Sequence, residues 1–195
     1  MKRLLHVITV LIVFSGCTYP DQDLHQLFED HYEYSLQANP LFATNQGVHN
    51  FNDRLPDSSP AAAELRYSKN REFLERLEKI PYPRLSRDDQ INYDIFQIQL
   101  QNEIRNFELD GHLLPLNGWW DYHSTFADLP NRVPLADKTD YENYLDRLGA
   151  FREYNSGYIS RMQRGIQQNW VRPELVFDNY LESVSAHIVE SPDES

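Results

Sequence analysis

The sequence is poor in cysteine, glycine and basic side chains. Cys17 is the single cysteine among 195 residues, which excludes an internal disulfide framework and any thiolate metal cluster. The seven glycines form no Gly-rich loop of the kind that binds dinucleotides or phosphates. Lys and Arg number 18 against 30 Asp and Glu, so the formal net charge is −12. Because phosphate contacts need clustered cations, this surplus argues against a nucleic-acid partner and a polybasic membrane-surface module.

The remaining composition is that of a globular protein. Hydrophobic residues make up 41% and aromatic residues 13% of the chain. The length favours a single domain, which could bury about 70% of the surface of its unfolded chain. A serine or cysteine hydrolase is not supported, since the sequence contains no Gly-x-Ser-x-Gly elbow and Cys17 belongs to the N-terminal leader.

Residues 1–17 have the layout of a secretory signal peptide. Two basic residues follow Met1, residues 4–14 are apolar at all but two positions, and two small residues precede Cys17. The apolar run is shorter than the roughly 20 residues of a bilayer span. Its end resembles a bacterial lipobox, in which the cysteine is diacylated and becomes the new N-terminus. We therefore predict a lipoprotein signal peptide over 1–17, lipidation of Cys17 and a helical domain over 18–195, an ordinary secreted protein being the alternative.

The predicted location follows from the leader. Acyl chains on Cys17 would hold the domain to a membrane through their buried methylenes. Residue 18 is Thr rather than Asp. By resemblance to the sorting of Gram-negative lipoproteins, this favours the periplasmic face of the outer membrane if the host is Gram-negative.

Beyond Cys17 the hydrophobic pattern is helical. No stretch shows sustained alternation of strand-forming residues, so we predict an all-α fold, an irregular bundle of about five helices that is part of a larger helical fold. Caps, prolines and apolar spacing predict helices over about 22–38, 60–80, 87–109, 139–167 and 174–189, with residues 40–58 as a loop. The expected N-caps are Asp21, Ser59, Ser86 and Thr139.

The third predicted helix carries two apolar rows. An outer row contains Ile91, Ile95 and Ile98, and an inner row contains Tyr93, Phe96, Leu100, Ile104 and Phe107. Two rows make a broad apolar face, so we expect this helix to pack against two neighbours.

Residues 110–136 have no helical period. They hold two tryptophans, two histidines, three prolines and two glycines. Because binding sites concentrate in loops where aromatic and polar groups converge, we predict a long aromatic-rich loop in which Trp119, Trp120 and His123 are candidate cleft-lining residues. The alternative, which packing statistics favour, is that these aromatic side chains close the top of the helical bundle.

Short segments resemble, in the same order, a bacterial family known as domain of unknown function 885. The resemblance extends over about residues 25–190. Its main segments are NPLFAT (39–44), DRLPD (53–57), FELDGHLLPL (107–116), FADLP (126–130) and YENYLDRL (141–148). The resemblance implies a mainly α-helical protein, often exported and lipidated, that is similar to zinc metallopeptidases.

The family resemblance also implies chemistry that this chain lacks. In gluzincin-type enzymes a His-Glu-x-x-His helix holds zinc and its Glu activates the metal-bound water, and family members carry that motif in their C-terminal half. None of the seven histidines here is followed by Glu, and no two are four residues apart. We therefore predict no catalytic residue, metal ligand or cofactor in this chain, with zinc implied only for full-length relatives.

Two functions remain. In the first, the chain is the N-terminal part of an exported metallopeptidase-like protein and forms the helical wall of a substrate cleft. In the second, it is a short lipoprotein that binds a partner without catalysis. The expected partners are the membrane, through the lipid anchor, and either a peptide or the missing C-terminal half.

Overall fold

The computed structural model describes residues 20–116, 121–177, 180–185, 188 and 191, and over these ranges the regular structure is entirely helical. This confirms the predicted all-α class. The helices are α1 (Pro20–Ala38), α2 (Pro40–Asn45), α3 (Pro60–Glu78), α4 (Arg87–Glu108), α5 (Tyr122–Ala127), α6 (Lys138–Gln167) and α7 (Tyr180–Ser185). Short 3-10 turns lie at Tyr82–Arg84, Gly111–Leu113, Leu129–Asn131 and Glu174–Phe177.

The predicted leader and Cys17 lie outside the described residues. Lipidation and the boundary at residue 18 therefore stay predictions. Within the described ranges, no helix is both long and apolar enough to cross a membrane.

The hydrophobic core lies where α1, α3 and α4 meet. Its buried side chains are Leu24 and Leu27 from α1, Phe73 and Leu77 from α3, Tyr93, Phe96 and Leu100 from α4, and Ile80 and Leu85 from the α3–α4 connection. Fully burying one such side chain stabilises the fold by about 1.5–3 kcal/mol, so this cluster is what joins the three helices.

The structure covers only one of the two apolar rows on α4. Four residues of the inner row, from Tyr93 to Ile104, are buried. The outer row stays in solvent, with 47% of Ile91, 51% of Ile95 and 57% of Ile98 exposed. Helix α4 does pack against two neighbours, α1 and α3, but within the described part of the chain neither of them covers the outer row.

Two of the four predicted N-caps are wrong, although the helices exist. Ser59 and Ser86 accept hydrogen bonds from Ala62 N (3.1 Å) and Asp89 N (3.2 Å), as predicted. Asp21 instead lies in the first turn of α1 and accepts a hydrogen bond from Ser86 N (3.0 Å), which joins the starts of α1 and α4.

The long helix α6 starts earlier than predicted. Its N-cap is Asp137, which accepts from Asp140 N at 3.0 Å, while Thr139 lies in the first turn. The Asp140 carboxylate accepts in turn from Ala136 N at 2.9 Å. These two hydrogen bonds satisfy two backbone donors at once, and for that reason this cap is preferred over one at Thr139.

Three predicted segments differ in extent. Residues 40–45 of the expected loop form α2, because Asn39 accepts from Phe42 N (3.1 Å) and Pro40 suits a first turn. The predicted loop 110–136 contains α5 and two 3-10 turns. The predicted helix 174–189 is a 3-10 turn and α7, with residues 178–179, 186–187 and 189–190 outside the described ranges. Leu175 and Leu181 there are 79% and 85% exposed, so little packing stabilises a longer helix.

Candidate ligand-binding cleft

A cleft of about 820 Å³ lies where six helices converge. Each helix from α1 to α6 contributes lining side chains, for example His31, Phe42, Arg66, Glu103, Tyr122 and Tyr158. Ligand pockets in proteins usually measure about 300–1,000 Å³ and combine aromatic surface with a few polar groups. The size and lining of this cleft make it the candidate functional site.

Three tyrosines form one wall of the cleft, which we call the tyrosine wall: Tyr122, Tyr154 and Tyr158. The rings of Tyr122 and Tyr158 stack with centroids 4.1 Å apart, and Tyr154 packs edge-on against Tyr158 at 5.0 Å. The Tyr122 hydroxyl donates to Asn155 Oδ1 at 2.8 Å. Burial raises the pKa of Tyr122 and of Tyr154 above the ordinary phenol range, so both are neutral at pH 7.

Two arginines line the same cleft, and neither forms an ion pair with a carboxylate of the described residues. Arg66 Nη1 donates to the backbone oxygen of Asp57 (3.0 Å), and Arg161 Nε donates to that of His112 (2.6 Å). Arg161 also lies over the Tyr158 ring at 5.2 Å. Burial lowers the pKa of Arg161, and the positive charge of Arg66 acts in the same direction. Each of these guanidinium groups can therefore form an ion pair with an anionic group of a ligand.

The remaining ionisable groups give the cleft both signs of charge. Asp57 and Glu103 contribute carboxylates, and the Asp57 carboxylate accepts from Ser59 N at 2.8 Å. The His31 ring lies edge-on against Phe73, with centroids 5.0 Å apart. Burial lowers the pKa of His31, so its imidazole is neutral at pH 7.

The structure tests the predicted cleft residues only in part. Trp119 and Trp120 lie outside the described residues. From α5 the cleft is lined by Tyr122 and Thr125, whereas His123 has Nδ1 3.3 Å from the Tyr180 hydroxyl. The aromatic-rich segment 110–136 therefore contributes to the cleft. The roles of Trp119, Trp120 and His123 as cleft-lining residues stay predictions.

Sequence reasoning missed the two arginines. Arg66 and Arg161 lie in helices that carry several other charged residues, and no spacing distinguishes them. For the tyrosine wall the sequence contains a weak signal. Tyr122 lies in the aromatic-rich segment 110–136, and Tyr154 and Tyr158 are one turn apart on α6.

The described residues do not fit a zinc site. Across these ranges, no group of three or more His, Cys, Asp or Glu side chains is placed to hold a metal ion. His25 Nε2 and Asp89 Oδ1 approach to 2.9 Å, but Asp89 also accepts from Ser86 and Asn92. The hydrogen bonds from His25, Asn92 and Ser86 hold the pKa of Asp89 below its usual range, as in a structural carboxylate.

Comparison with protein families agrees with the resemblance in the sequence. Residues 40–195 match the family described as "Bacterial protein of unknown function (DUF885)". A search of curated proteins finds no match. The matched residues include every helix of the cleft except α1. Because the match extends over most of the sequence, the chain belongs to the DUF885 family.

Proposed function

We propose that this chain is an exported, lipid-anchored DUF885 protein whose cleft binds a short peptide and which is not catalytic alone. The observation that carries the proposal is the juxtaposition of the tyrosine wall with Arg66 and Arg161 in one cleft of about 820 Å³. Aromatic faces suit apolar side chains, and unpaired guanidinium groups suit carboxylates. A peptide offers both.

The lining favours a peptide over a purely apolar ligand. Asn39, Asn45 and Asn70 add amide groups that can pair with a peptide backbone. Glu103 adds a carboxylate for an ammonium or guanidinium group of the ligand. The cleft volume suits a few residues in an extended form, and a folded protein would not enter it.

The non-catalytic part of the proposal rests on the sequence. None of the seven histidines is followed by Glu, so a His-Glu-x-x-His zinc helix is absent from these 195 residues. In a longer zinc-peptidase-like relative, this part would hold the substrate while another part supplies the metal. We expect the full chain to cleave no peptide and to bind zinc no better than a protein with one exposed histidine. Stoichiometric, chelator-sensitive zinc binding would contradict this.

The outer row of α4 favours membership of such a longer protein over a short binding lipoprotein. Ile91, Ile95 and Ile98 lie half in solvent, and a contiguous apolar row is a usual mark of a missing neighbour. The intact mass of the gene product, recovered from membranes of its native host, distinguishes the longer protein from the short lipoprotein. A mass near that of residues 17–195 plus acyl chains would support the short lipoprotein, and a mass several-fold larger would support the longer protein.

The binding proposal is tested by calorimetric titration of the full chain with a library of short peptides. Arg66 donates only to a backbone oxygen, so Arg66→Gln leaves the fold largely intact. Losing one charged hydrogen bond costs about 1.5–3 kcal/mol, so we expect roughly 10- to 100-fold weaker binding of peptides with a free carboxylate.

Arg71→Gln is the matched control, because Arg71 is exposed, lies on the same helix and does not line the cleft. It should bind these peptides as the unchanged protein does. Failure of every peptide to bind, or equal affinity of Arg66→Gln and the unchanged protein, would overturn the proposal.

The anchor is tested by metabolic labelling with an alkyne-tagged fatty acid. Cys17 is the single thiol of the chain, so Cys17→Ser removes the atom that would carry the thioether-linked lipid. We expect label on the unchanged protein and on Ser15→Ala, which keeps a small residue before the cysteine, and none on Cys17→Ser. Equal labelling of all three would contradict a lipid on Cys17.

A further inference from the structure

A second, smaller cavity lies between α2, α6 and the turn that follows α5. Its volume is about 20 Å³, above the roughly 10–15 Å³ that one water molecule requires. Leu41, Asn45 and Thr125 line both this small cavity and the cleft, so the two adjoin. The other polar lining residues are Thr44, Arg132 and Arg147, and no carboxylate is present among the described residues that line it.

Arg147 brings a positive charge to the small cavity and forms no ion pair within the described residues. Its side chain is fully buried, at 0% exposure. Nε and Nη2 donate to four oxygens, all of them neutral: Arg54 O (2.9 Å), Pro40 O (3.3 Å), Thr44 Oγ1 (2.7 Å) and Phe51 O (3.2 Å). Nη1 is buried and has no hydrogen-bond partner in the part of the chain that the structure describes. A buried cation that meets only neutral oxygens, with one nitrogen unsatisfied, is costly unless something else fills its last position.

Further donors line the same small cavity. Arg132 Nε pairs with Asp128 at 2.6 Å, which leaves its other guanidinium nitrogens available. The side chains of Asn45 and Thr125 have no hydrogen-bond partner among the described residues. Burial lowers the pKa of Arg147 to about 10, against the opposing effect of the Asp53 carboxylate, so the guanidinium is charged at pH 7. The polar part of the small cavity's lining thus consists of donors and cations, and the rest is apolar: Leu41, Leu129 and Val133.

We infer that the small cavity binds one small monovalent anion, a chloride-sized ion or a single carboxylate group, held by Arg147 Nη1 and Arg132. Asn45 and Thr125 supply further hydrogen bonds. A water molecule would satisfy Nη1 but would bring no negative charge to Arg147 and Arg132. Because the small cavity adjoins the cleft, the bound group could be a small anion free in solution or the carboxylate of a ligand that occupies the cleft.

The first test is thermal unfolding of the full chain at constant ionic strength, with gluconate exchanged for chloride, bromide or formate. An anion that binds the folded state alone, present at ten times its Kd, should raise Tm by about 3–6 °C. The rise should be the same with sodium and choline as the cation. Equal Tm values in all these salts would overturn the inference.

Variants connect the effect to the small cavity. Arg147 supports the fold, so the main variant is Arg132→Gln, which should weaken the anion-dependent rise at least several-fold. Arg152→Gln is the control, because Arg152 is exposed on the same helix as Arg147 and does not line the small cavity. A rise that is equal in Arg132→Gln and in the control would contradict the assignment.

The second test is crystallographic and locates the anion. Crystals grown in sodium bromide should show an anomalous peak beside Arg147 Nη1, whereas a water molecule there without anomalous signal would overturn the inference. A peptide with a free C-terminal carboxylate and the same peptide amidated at its C-terminus then distinguish the two sources of the anion. Displacement of bromide by the free acid alone supports a carboxylate from the cleft ligand, and retention with both supports a free anion.

Discussion

At the residue scale, two glycines of α6 have opposite surroundings. A Cβ on Gly157 would lie 2.7 Å from the Ser58 carbonyl carbon and 2.8 Å from Ser59 N. A Cβ on Gly149 would meet nothing within 4 Å. Helix α6 therefore packs its backbone directly against the segment before α3 at Gly157, and only a residue without a Cβ allows that approach.

Gly157→Ala should destabilise the protein, and Gly149→Ala should not. The backbone shift that alanine requires at 157 should lower the free energy of unfolding by about 1–3 kcal/mol. At the exposed position 149 the helix propensity of alanine should raise it by up to about 1 kcal/mol. Urea titrations of the two variants check this. Equal stability of both would mean that the contact with Ser58 and Ser59 is not close.

Two histidines make the free energy of unfolding depend on pH. Burial lowers the pKa of His31, and burial also lowers that of His112, with the charge of Arg161 adding to the effect. The unfolded chain takes up these protons at the usual imidazole pKa of about 6.5, before the folded chain does. Their contribution is therefore complete above that pH and is lost as the pH falls through 6.5 toward the folded values.

The free energy of unfolding should fall between about pH 7 and pH 5. His31→Gln should make this decline shallower, because one protonation that favours the unfolded chain is removed. The measurement is a series of urea titrations across that range, compared through their slopes against pH. The same slope in His31→Gln and in the unchanged protein would show that His31 does not contribute.

At the element scale, helix positions follow from the sequence more closely than helix starts. The starts of α3 and α4 are correct, because Ser59 and Ser86 are each followed by the expected backbone donor. The start of α6 differs, since Asp137 and Thr139 are both acceptable caps. Only the second hydrogen bond, from Ala136 N to the Asp140 carboxylate, distinguishes them. Such competition between neighbouring caps cannot be resolved from residue type.

Asp137→Ala and Thr139→Ala separate the two caps. Losing the cap at Asp137 should lower the free energy of unfolding by about 0.5–2 kcal/mol. Thr139 is exposed in the first turn, so its replacement by the better helix former alanine should be neutral or slightly stabilising. Thermal unfolding of both variants measures the difference. A larger loss in Thr139→Ala would place the cap at the position that the sequence predicts.

The inner and outer rows of α4 show what periodicity predicts about an element. Both rows have a helical period, and together they predict a helix with a broad apolar face. They do not distinguish which row is covered. Phe28 and His31 of α1 pack against Phe96 of the inner row, and this contact buries one row while Ile95 of the outer row stays exposed.

At the scale of the whole molecule, Arg147 joins α6 to the segment around α2. Its guanidinium donates to backbone oxygens of Pro40, Phe51 and Arg54 and to Thr44 Oγ1. These acceptors lie about a hundred residues away along the chain. The contact therefore joins α6 to the segment around α2, two parts that both contribute to the cleft but are distant in the sequence.

Arg147→Met should destabilise the whole fold. It leaves several buried oxygens without their donor, so we expect a loss of about 3–5 kcal/mol in the free energy of unfolding. Arg152→Met, on the exposed side of the same helix, should change it by less than about 0.5 kcal/mol. Chemical denaturation gives both values. A loss below about 1 kcal/mol for Arg147→Met would show that these bonds add little.

The sequence by itself determined the helical class, the positions of four long helices and the family. Hydrophobic period, first-turn prolines and serine caps act within one or two turns, so they can be recognised in the sequence without knowledge of the rest of the fold. The cap at Asp137 and the start of α2 rest on local hydrogen bonds that residue type alone does not rank. The exposure of the outer row was decided by contacts between segments. The cleft was decided in the same way, because Arg66 and Arg161 differ from other arginines only in where the folded chain brings them. Burial depends on what packs against a residue, and that partner is encoded far away in the chain.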